Sequence, residues 1–383
     1  VMVSMMLMGR VWCGVFCPEG SLTELVSRRG LHYRIPRWIR WGGWPFVAFV
    51  MTTVFGQLLS VYEYPKATLL ILGGSTLMAL AVGYVYGRGA RVWCRYLCPA
   101  NGVFSLLARL APVHFHVDRA AWKSKPAGTP AVACAPLINI PRMSGTSACH
   151  ACGRCSGHRD AVQLVARSPS AEVLALSPGA VSRWEVILLL FGVLGMAQGA
   201  FQWSASPWFV AMKQAAAGWL IEHNSFWLLQ DNAPWWLLTH YPEANDVVTW
   251  LDGLLIIFYI GATALVLGSW ILFWLFVAQR ILRRAGLMWR LAYSLIPLAG
   301  VSVFLGLSML TVTMLKAEGM TLTWVTPLRT GLLALAVVWS AWLAAHQLAQ
   351  AGATSWRRWP ALGSVLAGMV LPVGAWLVQF FIW

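Results

Sequence analysis

Apolar runs long enough to cross a membrane alternate with short polar loops along most of the chain. A hydrocarbon core of about 30 Å needs about 20 apolar residues in a helix. Runs of that kind cover residues 43–62, 67–87, 184–202, 251–278, 288–315, 328–350 and 360–382. Residues 1–8 are apolar but only about half as long as a span requires, and no Met stands at position 1, so we expect a truncated first helix. The pattern predicts an all-α polytopic membrane protein with about eight transmembrane helices.

Two stretches interrupt this pattern. Residues 100–181 contain no spanning run and hold many Pro, Gly and Ser residues, so they predict a small domain held together by a bound cofactor. Residues 203–250 are rich in tryptophan, and 208–222 resembles a helix lying in the membrane interface. We therefore expect membrane helices at 1–99, a small cluster domain at 100–181, and a C-terminal membrane domain at 182–383 whose tryptophan-rich segment is periplasmic.

Two short polar patterns indicate where helices begin. Ser21 with Glu24, and Ser182 with Glu185, have the spacing of a capping box, in which a hydroxyl and a carboxylate satisfy the first backbone N–H groups. The first pattern predicts the start of a short helix after residue 20. The second predicts the start of the spanning run at 184–202.

Composition and charge agree with a membrane protein. The chain is 59% hydrophobic and 11% charged, and its net charge of +15 comes from arginines at the ends of apolar runs rather than from a nucleic-acid-binding face, so no nucleic-acid partner is expected. The positive-inside rule then gives the orientation. Four basic residues fall on one side of the predicted membrane, namely Lys66, Lys213, Lys316 and Arg329. Fifteen fall on the other, which we therefore expect to be cytoplasmic: Arg10, Arg28, Arg29, Arg34, Arg37, Arg40, Arg88, Arg91, Arg95, Arg280, Arg283, Arg284, Arg290, Arg357 and Arg358.

The pattern Arg-Val-Trp-Cys-x3-Cys-Pro occurs twice, at residues 10–18 and 91–99. Cys-x3-Cys-Pro is the end of a bacterial iron–sulfur spacing, so each copy holds half of a four-cysteine set. Two predicted crossings separate the copies and return the chain to the same side of the membrane. We therefore predict that one [4Fe–4S] cluster is bound jointly by Cys13, Cys17, Cys94 and Cys98. The arginines beside these thiols, Arg10, Arg91 and Arg95, either offset the negative charge of a cluster or anchor the chain to the inner leaflet.

The other four cysteines lie in the polar stretch. Cys149, Cys152 and Cys155 give three quarters of the same spacing, and Cys134 or His158 supplies the fourth ligand, with Cys134 preferred because thiolate is the usual ligand. A structural zinc ion is the alternative for this set. Disulfides are not expected on a cytoplasmic face. The predicted cofactors are thus two [4Fe–4S] clusters, and haem is not expected, because no two histidines share a spanning run.

These motifs resemble the membrane-bound polyferredoxins of the NapH, NosR and CcoG type, over about residues 9–160. The long C-terminal half and the sequence Pro-Glu-Gly-Ser-Leu-Thr-Glu at 18–24 are most similar to the polyferredoxin of FtrABCD-type ferrous-iron transport. The chain departs from the resemblance in one respect, since these proteins usually carry two full Cys-x2-Cys-x2-Cys-x3-Cys-Pro sets in the soluble part. The resemblance implies a redox subunit of a bacterial iron-uptake system in the inner membrane. Its implied partners are a permease subunit, a periplasmic metal-handling or cupredoxin-like protein, and a cytoplasmic electron carrier or quinone.

Two other functions remain open from the sequence. One is an accessory electron donor or maturation factor for a periplasmic reductase, and the other is a membrane scaffold or transporter whose clusters are structural. No arrangement typical of a substrate-converting catalytic site is present, although a metal reductase activity would be compatible with the clusters. Among the periplasmic carboxylates, Asp246 and Asp252 flank the start of a spanning helix, where they serve either as a metal site or as charges that stabilise the helix end.

Overall fold

The computed structural model describes residues 1–124, 132–143, 145–352 and 354–383, and it is mainly helical. Six helices in these ranges are long and apolar enough to cross a membrane: Pro65–Tyr86, Arg183–Ala205, Trp250–Leu282, Leu287–Ala317, Val325–Gln350 and Trp356–Phe381. The seventh predicted run forms a shorter apolar helix, Trp44–Leu58, and the run at 1–8 forms the helix Met2–Met8. The prediction of a polytopic, mainly helical membrane protein is confirmed.

The first of two compact units comprises Val1–Phe49 and Gly74–Leu188. The helix after the first motif packs on the helix before the second motif, and a Cβ at Gly83 would lie 2.8 Å from the Thr23 methyl. The described helices and turns of this unit are Met2–Met8, Trp12–Phe16, Pro18–Ser27, Gly74–Tyr86, Val92–Tyr96, Pro99–Ala108, Arg119–Ser124, Ile140–Arg142, His158–Asp160, Ala171–Leu174, Pro178–Ala180 and Arg183–Ile187. A hairpin that the sequence analysis did not predict pairs Val113–Val117 with Val162–Ala166 in antiparallel register.

The second unit comprises Val50–Gly73 and Leu189–Trp383. Its long helices are joined by hydrogen bonds between buried polar groups, as when the Trp376 indole donates to Ser302 Oγ at 3.1 Å. Within or extending into this unit lie Trp44–Leu58, Pro65–Thr68, Leu69–Gly73, Leu188–Met196, Ala197–Gln202, Trp203–Ala205, Pro207–Glu222, Phe226–Leu229, Pro242–Ala244, Trp250–Leu282, Leu287–Ala292, Tyr293–Leu295, Ile296–Ala317, Val325–Gln350 and Ser355–Phe381. A two-residue hairpin pairs His240–Tyr241 with Asp246–Val247.

The two predicted helix starts have different outcomes. Ser182 caps the helix Arg183–Ile187 by accepting a hydrogen bond from the Glu185 backbone N–H, as predicted. The prediction for Ser21 and Glu24 is wrong, because the helix begins earlier, at Pro18. Proline needs no partner for a backbone N–H and its fixed φ suits the first helical position, so it starts the helix in place of the serine. Glu24 is left on the second turn of the helix, where it is buried.

Candidate cysteine-rich metal centre

Both copies of the repeated motif fold in the same way. In each copy the second cysteine has an extended backbone and donates its N–H to the carbonyl of the tryptophan before the first cysteine, Cys17 to Trp12 at 2.8 Å and Cys98 to Trp93 at 3.0 Å. The proline that follows each one opens a helix of ten residues. The sequence repeat is therefore a structural repeat, a tight turn that carries two thiols followed by a helix.

The arginine of each copy holds the other copy. Arg10 donates to Asn101 Oδ1 on the helix after the second motif at 2.7 Å, and its Nη2 lies 3.9 Å from Cys13 Sγ. Arg91 donates to the Cys13 carbonyl at 2.6 Å and to the Gly14 carbonyl at 3.3 Å. Both guanidinium groups are buried, with Arg10 2% and Arg91 4% exposed. Because each arginine crosses from its own motif to the other, the two half-sets of cysteines are brought together.

The four thiols of this pair of motifs form one electrostatic group, which we call the paired-cysteine group: Cys13, Cys17, Cys94 and Cys98. Burial raises the pKa of Cys98 to about 12, with smaller contributions that include Cys13. Burial likewise raises the pKa of Cys94, and the neighbouring Cys98 and Cys17 raise it further. Because of these raised pKa values, the thiols would become thiolates only on binding a metal centre that they ligate. Their assignment as ligands of one cluster stays a prediction.

The other four cysteines form a second electrostatic group, the loop-cysteine group: Cys134, Cys149, Cys152 and Cys155. Burial raises the pKa of Cys149 to about 11, and Cys155, Cys152 and Cys134 add to the shift. Cys134 and Cys155 pack against the apolar cluster under the hairpin, formed by Val117, Ile140 and Val162.

The alternative fourth ligand, His158, faces elsewhere. Its ring lies 5.3 Å from the Trp122 ring. The position of Cys134 among the other loop cysteines favours it over His158, although the ligand assignment itself stays a prediction.

The two groups of cysteines adjoin each other at Gly14. A Cβ at this position would lie 2.0 Å from the His150 carbonyl oxygen and 2.9 Å from the Cys152 backbone nitrogen. The loop that carries Cys149 and Cys152 thus rests directly on the turn between Cys13 and Cys17, and only glycine leaves room for it. On the second motif, the Arg91 backbone N–H donates to the Ala135 carbonyl, next to Cys134, at 2.7 Å.

Glu24 links its own helix, which follows Cys17, to the segments that carry Cys94 and Cys152, a role that the sequence did not indicate. Its carboxylate, which is 3% exposed, accepts from Arg91 Nε at 3.0 Å and from Arg154, between Cys152 and Cys155, and it also pairs with Arg28. Burial alone would raise the pKa of Glu24, but the three guanidinium groups outweigh it and the pKa is lowered. Glu24 therefore stays ionised and ties the helix Pro18–Ser27 to Arg91, near the second motif, and to Arg154, in the cysteine loop.

The surroundings suit a negatively charged group with several hydrogen-bond acceptors. Arg10 Nε and both ring nitrogens of His150 are buried and have no hydrogen-bond partner among the residues that the structure describes. The Arg10 Nε–H and the single N–H of a neutral His150 ring are buried donors that need an acceptor, and a four-thiolate iron–sulfur cluster offers sulfur acceptors on a net negative centre. Within the described ranges, no three His, Cys, Asp or Glu side chains are placed to hold a single metal ion. The buried donors of Arg10 and His150 fit a cluster as a polyanionic cofactor.

The two carboxylates predicted as a metal site lie in the second unit and already have local partners. Asp252 completes a capping box with Thr249 at the start of Trp250–Leu282, and its Oδ1 lies 2.7 Å from Lys213 Nζ. Asp246 accepts a hydrogen bond from the Tyr64 hydroxyl at 2.8 Å. Burial, and after it this hydrogen bond to Asp246, raises the pKa of Tyr64 to about 12. The structure therefore gives each carboxylate a role in local packing, and metal binding by the two stays a prediction.

Comparison with known proteins agrees with this chemistry. Residues 1–42 and 69–117 match the family model described as "4Fe-4S binding domain", and the two matched segments contain all four residues of the paired-cysteine group. The chain is 24% identical over 229 residues to the "Putative electron transport protein YccM" of Escherichia coli (strain K12). That match covers 52% of this chain and 64% of the relative, so the chain spans less than two thirds of the relative's length. No solved structure matches the chain.

The fold and the family match together define the class of the molecule. The chain is a multi-pass, mainly helical membrane protein that carries a 4Fe–4S binding domain near its beginning. The matched segments contain both motifs, and the assignment of individual cysteines as cluster ligands stays a prediction.

Proposed function

We propose that this protein transfers electrons through two [4Fe–4S] clusters, one held by the paired-cysteine group and the other by the loop-cysteine group. The observation that carries the proposal is the contact at Gly14, where the backbone of the second group rests on the turn of the first. Two structural clusters would have no need to adjoin, whereas two clusters that exchange electrons must be close. The name of the relative from Escherichia coli supports the same function.

The clusters would supply one-electron chemistry, and the protein would set where it occurs and at what potential. Potentials of iron–sulfur clusters depend on net charge, on hydrogen bonds to sulfur and on exposure to solvent. Arg10 and Arg91 lie buried beside the paired-cysteine group, so this chain's own cations would stabilise the more negative, reduced state. His150 offers a buried ring between the two groups as a further donor.

The physiological setting that we propose is a bacterial iron-uptake system in the inner membrane, with both cysteine groups on the cytoplasmic side. Its partners would be a permease subunit, a periplasmic metal-handling or cupredoxin-like protein, and a cytoplasmic electron carrier or quinone. The support for this setting is the resemblance of residues 18–24 and of the C-terminal half to a ferrous-iron transport polyferredoxin. An accessory donor to a periplasmic reductase would share the clusters and differ only in the partner.

The test uses the full chain purified from membranes in detergent, with iron, acid-labile sulfide and the electron paramagnetic resonance spectrum measured during a redox titration. We expect eight irons for each chain, four for each of two clusters, and two cluster signals that appear and disappear reversibly with potential. The control variants are Cys13→Ala with Cys94→Ala for one site, and Cys149→Ala with Cys155→Ala for the other. Each pair should remove one signal and leave the other. Clusters that do not cycle, or a bound zinc ion in place of the second cluster, would contradict the proposal.

A further inference from the structure

A cavity of about 290 Å³ opens in the first unit beside the paired-cysteine group. We call it the arginine pocket and define it by six of its lining residues, Arg10, Arg40, Arg95, Trp41, Trp184 and Ser147. Its volume is at the lower end of the range for small-molecule sites and is large enough for a headgroup rather than for a whole cofactor. The function proposed above uses Arg10 from this lining but assigns no occupant to the cavity.

The charges in the pocket are unbalanced. Within residues 1–124, 132–143, 145–352 and 354–383, none of its three arginines forms an ion pair with a carboxylate. Glu185 also lines the pocket, but its carboxylate accepts from Arg109 Nη2 at 2.9 Å and is already neutralised. Arg10 is 2% exposed and its Nε is without a hydrogen-bond partner in the described part of the chain. Arg95 is half-buried and Arg40 is exposed at the mouth of the pocket, and the buried Arg10 together with these two cations calls for an anion.

The pocket lies where two apolar helices begin. Trp41 stands just before Trp44–Leu58, and Trp184 stands at the start of the spanning helix Arg183–Ala205. Their rings meet edge to face with centroids 4.8 Å apart. Tryptophans at helix ends mark the depth of lipid headgroups, so the pocket faces the headgroup layer and not the hydrocarbon core or bulk water.

We propose that the arginine pocket binds the phosphate of an anionic membrane lipid. Guanidinium groups match phosphate oxygens in geometry and charge, and basic pockets beside membrane helices bind anionic headgroups. Arg10, Arg40 and Arg95 bind the phosphate, while Ser105 and Ser182, two further lining residues, offer hydroxyl groups to its oxygens. Pro45 and Leu188 supply an apolar edge for the glycerol and the first carbons of the acyl chains.

A neutral membrane quinone is the competing occupant and fits less well. A quinone brings two carbonyl acceptors and no charge, so it would leave the three guanidinium groups without an anion. Free phosphate would satisfy the charges but would make no use of the apolar edge or of the tryptophan pair. The phosphate chemistry is common to lipid and free ion, and the experiment separates these two sources.

The test measures lipid binding to the full-length protein by native mass spectrometry, with phosphatidylglycerol or phosphatidylcholine titrated into the detergent-purified chain. We expect phosphatidylglycerol to be retained in preference to phosphatidylcholine. Arg40→Gln and Arg95→Gln should each weaken its binding by about tenfold, the effect of one lost charge-assisted hydrogen bond. Arg37→Gln is the matched control, since Arg37 is an exposed arginine on the same loop as Arg40 and does not line the pocket. It should bind as the unaltered protein does.

Two further arms decide the occupant. Inorganic phosphate at millimolar concentration and a short-chain quinone are each added to the protein loaded with phosphatidylglycerol. Displacement by either would overturn the lipid assignment in favour of the competitor. Equal retention of the two lipids, or equal loss of binding in Arg37→Gln and Arg40→Gln, would also overturn it. Arg40 is exposed, so its variant remains informative if Arg95→Gln fails to fold.

Discussion

A methyl group at Gly14 would act directly on the contact between the two groups of cysteines. The Cβ of Gly14→Ala would lie 2.0 Å from the His150 carbonyl oxygen. A close carbon–oxygen contact is about 3.3 Å, so the loop must retreat by about 1.3 Å. The obstacle is backbone, which cannot rotate away as a side chain could, and overpacking of this kind costs about 1–3 kcal/mol.

The expected result is a loop-cysteine group that is displaced or lost while the paired-cysteine group is kept. In Gly14→Ala we expect reduced iron content and loss of the magnetic interaction between two reduced clusters, measured by electron paramagnetic resonance. Gly74→Ala is the matched control, because a Cβ there meets nothing within 4 Å and alanine favours a helix over glycine. Full iron content with an unchanged interaction in Gly14→Ala would refute the contact on which the proposed electron path rests.

Three further predictions concern residues around the same site. Glu24→Gln should destabilise the protein by about 3–5 kcal/mol, because the buried Arg91 loses its anion. Arg28→Gln, at the exposed end of the same network, should cost about 0–1 kcal/mol. Thermal unfolding in detergent compares the two variants. Cys134→Ala should remove one cluster from the spectrum and His158→Ala should remove none; the reverse result would make His158 the ligand. Burial would raise the pKa of Glu172, but Arg109, Thr146 and Arg167 outweigh burial and lower it. The ionised Glu172 therefore stabilises the fold fully above about pH 4.3, the pKa of an unfolded glutamate, and this stabilisation is lost as the pH falls through the pKa of Glu172 in the folded protein. The melting temperature of Glu172→Gln should therefore approach that of the unaltered protein on acidification, and a gap that stays constant down to pH 3 would show that Glu172 is not the group responsible.

Much of the fold follows from patterns within single segments. Spanning helices are set by the length of an apolar run, and their bounds in the structure differ from the predicted ones by a few residues, as in 251–278 against Trp250–Leu282. The repeat of Arg-Val-Trp-Cys-x3-Cys-Pro also predicted that the two motifs would come together, because an even number of crossings returns the chain to the same face.

The contacts that hold the site together could not be predicted, because they join residues far apart in the sequence. Glu24 has the spacing of a helix cap and is instead the anion for Arg91, 67 positions later. Gly14 differs from its counterpart Arg95 in the second motif, which is the only local sign that something packs closely on the first copy. The hairpin strands, Val113–Val117 and Val162–Ala166, are separated by the cysteine loop, and no local period indicated that they pair.

The arginines near the motifs illustrate how burial decides between two interpretations that the sequence left open. Arg91 cannot anchor the chain to lipid, since it is almost fully buried and donates hydrogen bonds to the opposite motif. Arg40 and Arg95 remain accessible at the mouth of a pocket at headgroup depth, where they can meet an anion from the membrane. Arg10 belongs to both sets, because it lines the pocket and lies 3.9 Å from Cys13 Sγ. A charge bound in the pocket would thus act on the same guanidinium that faces the first thiol, so the membrane surface and the cysteine site share one cation.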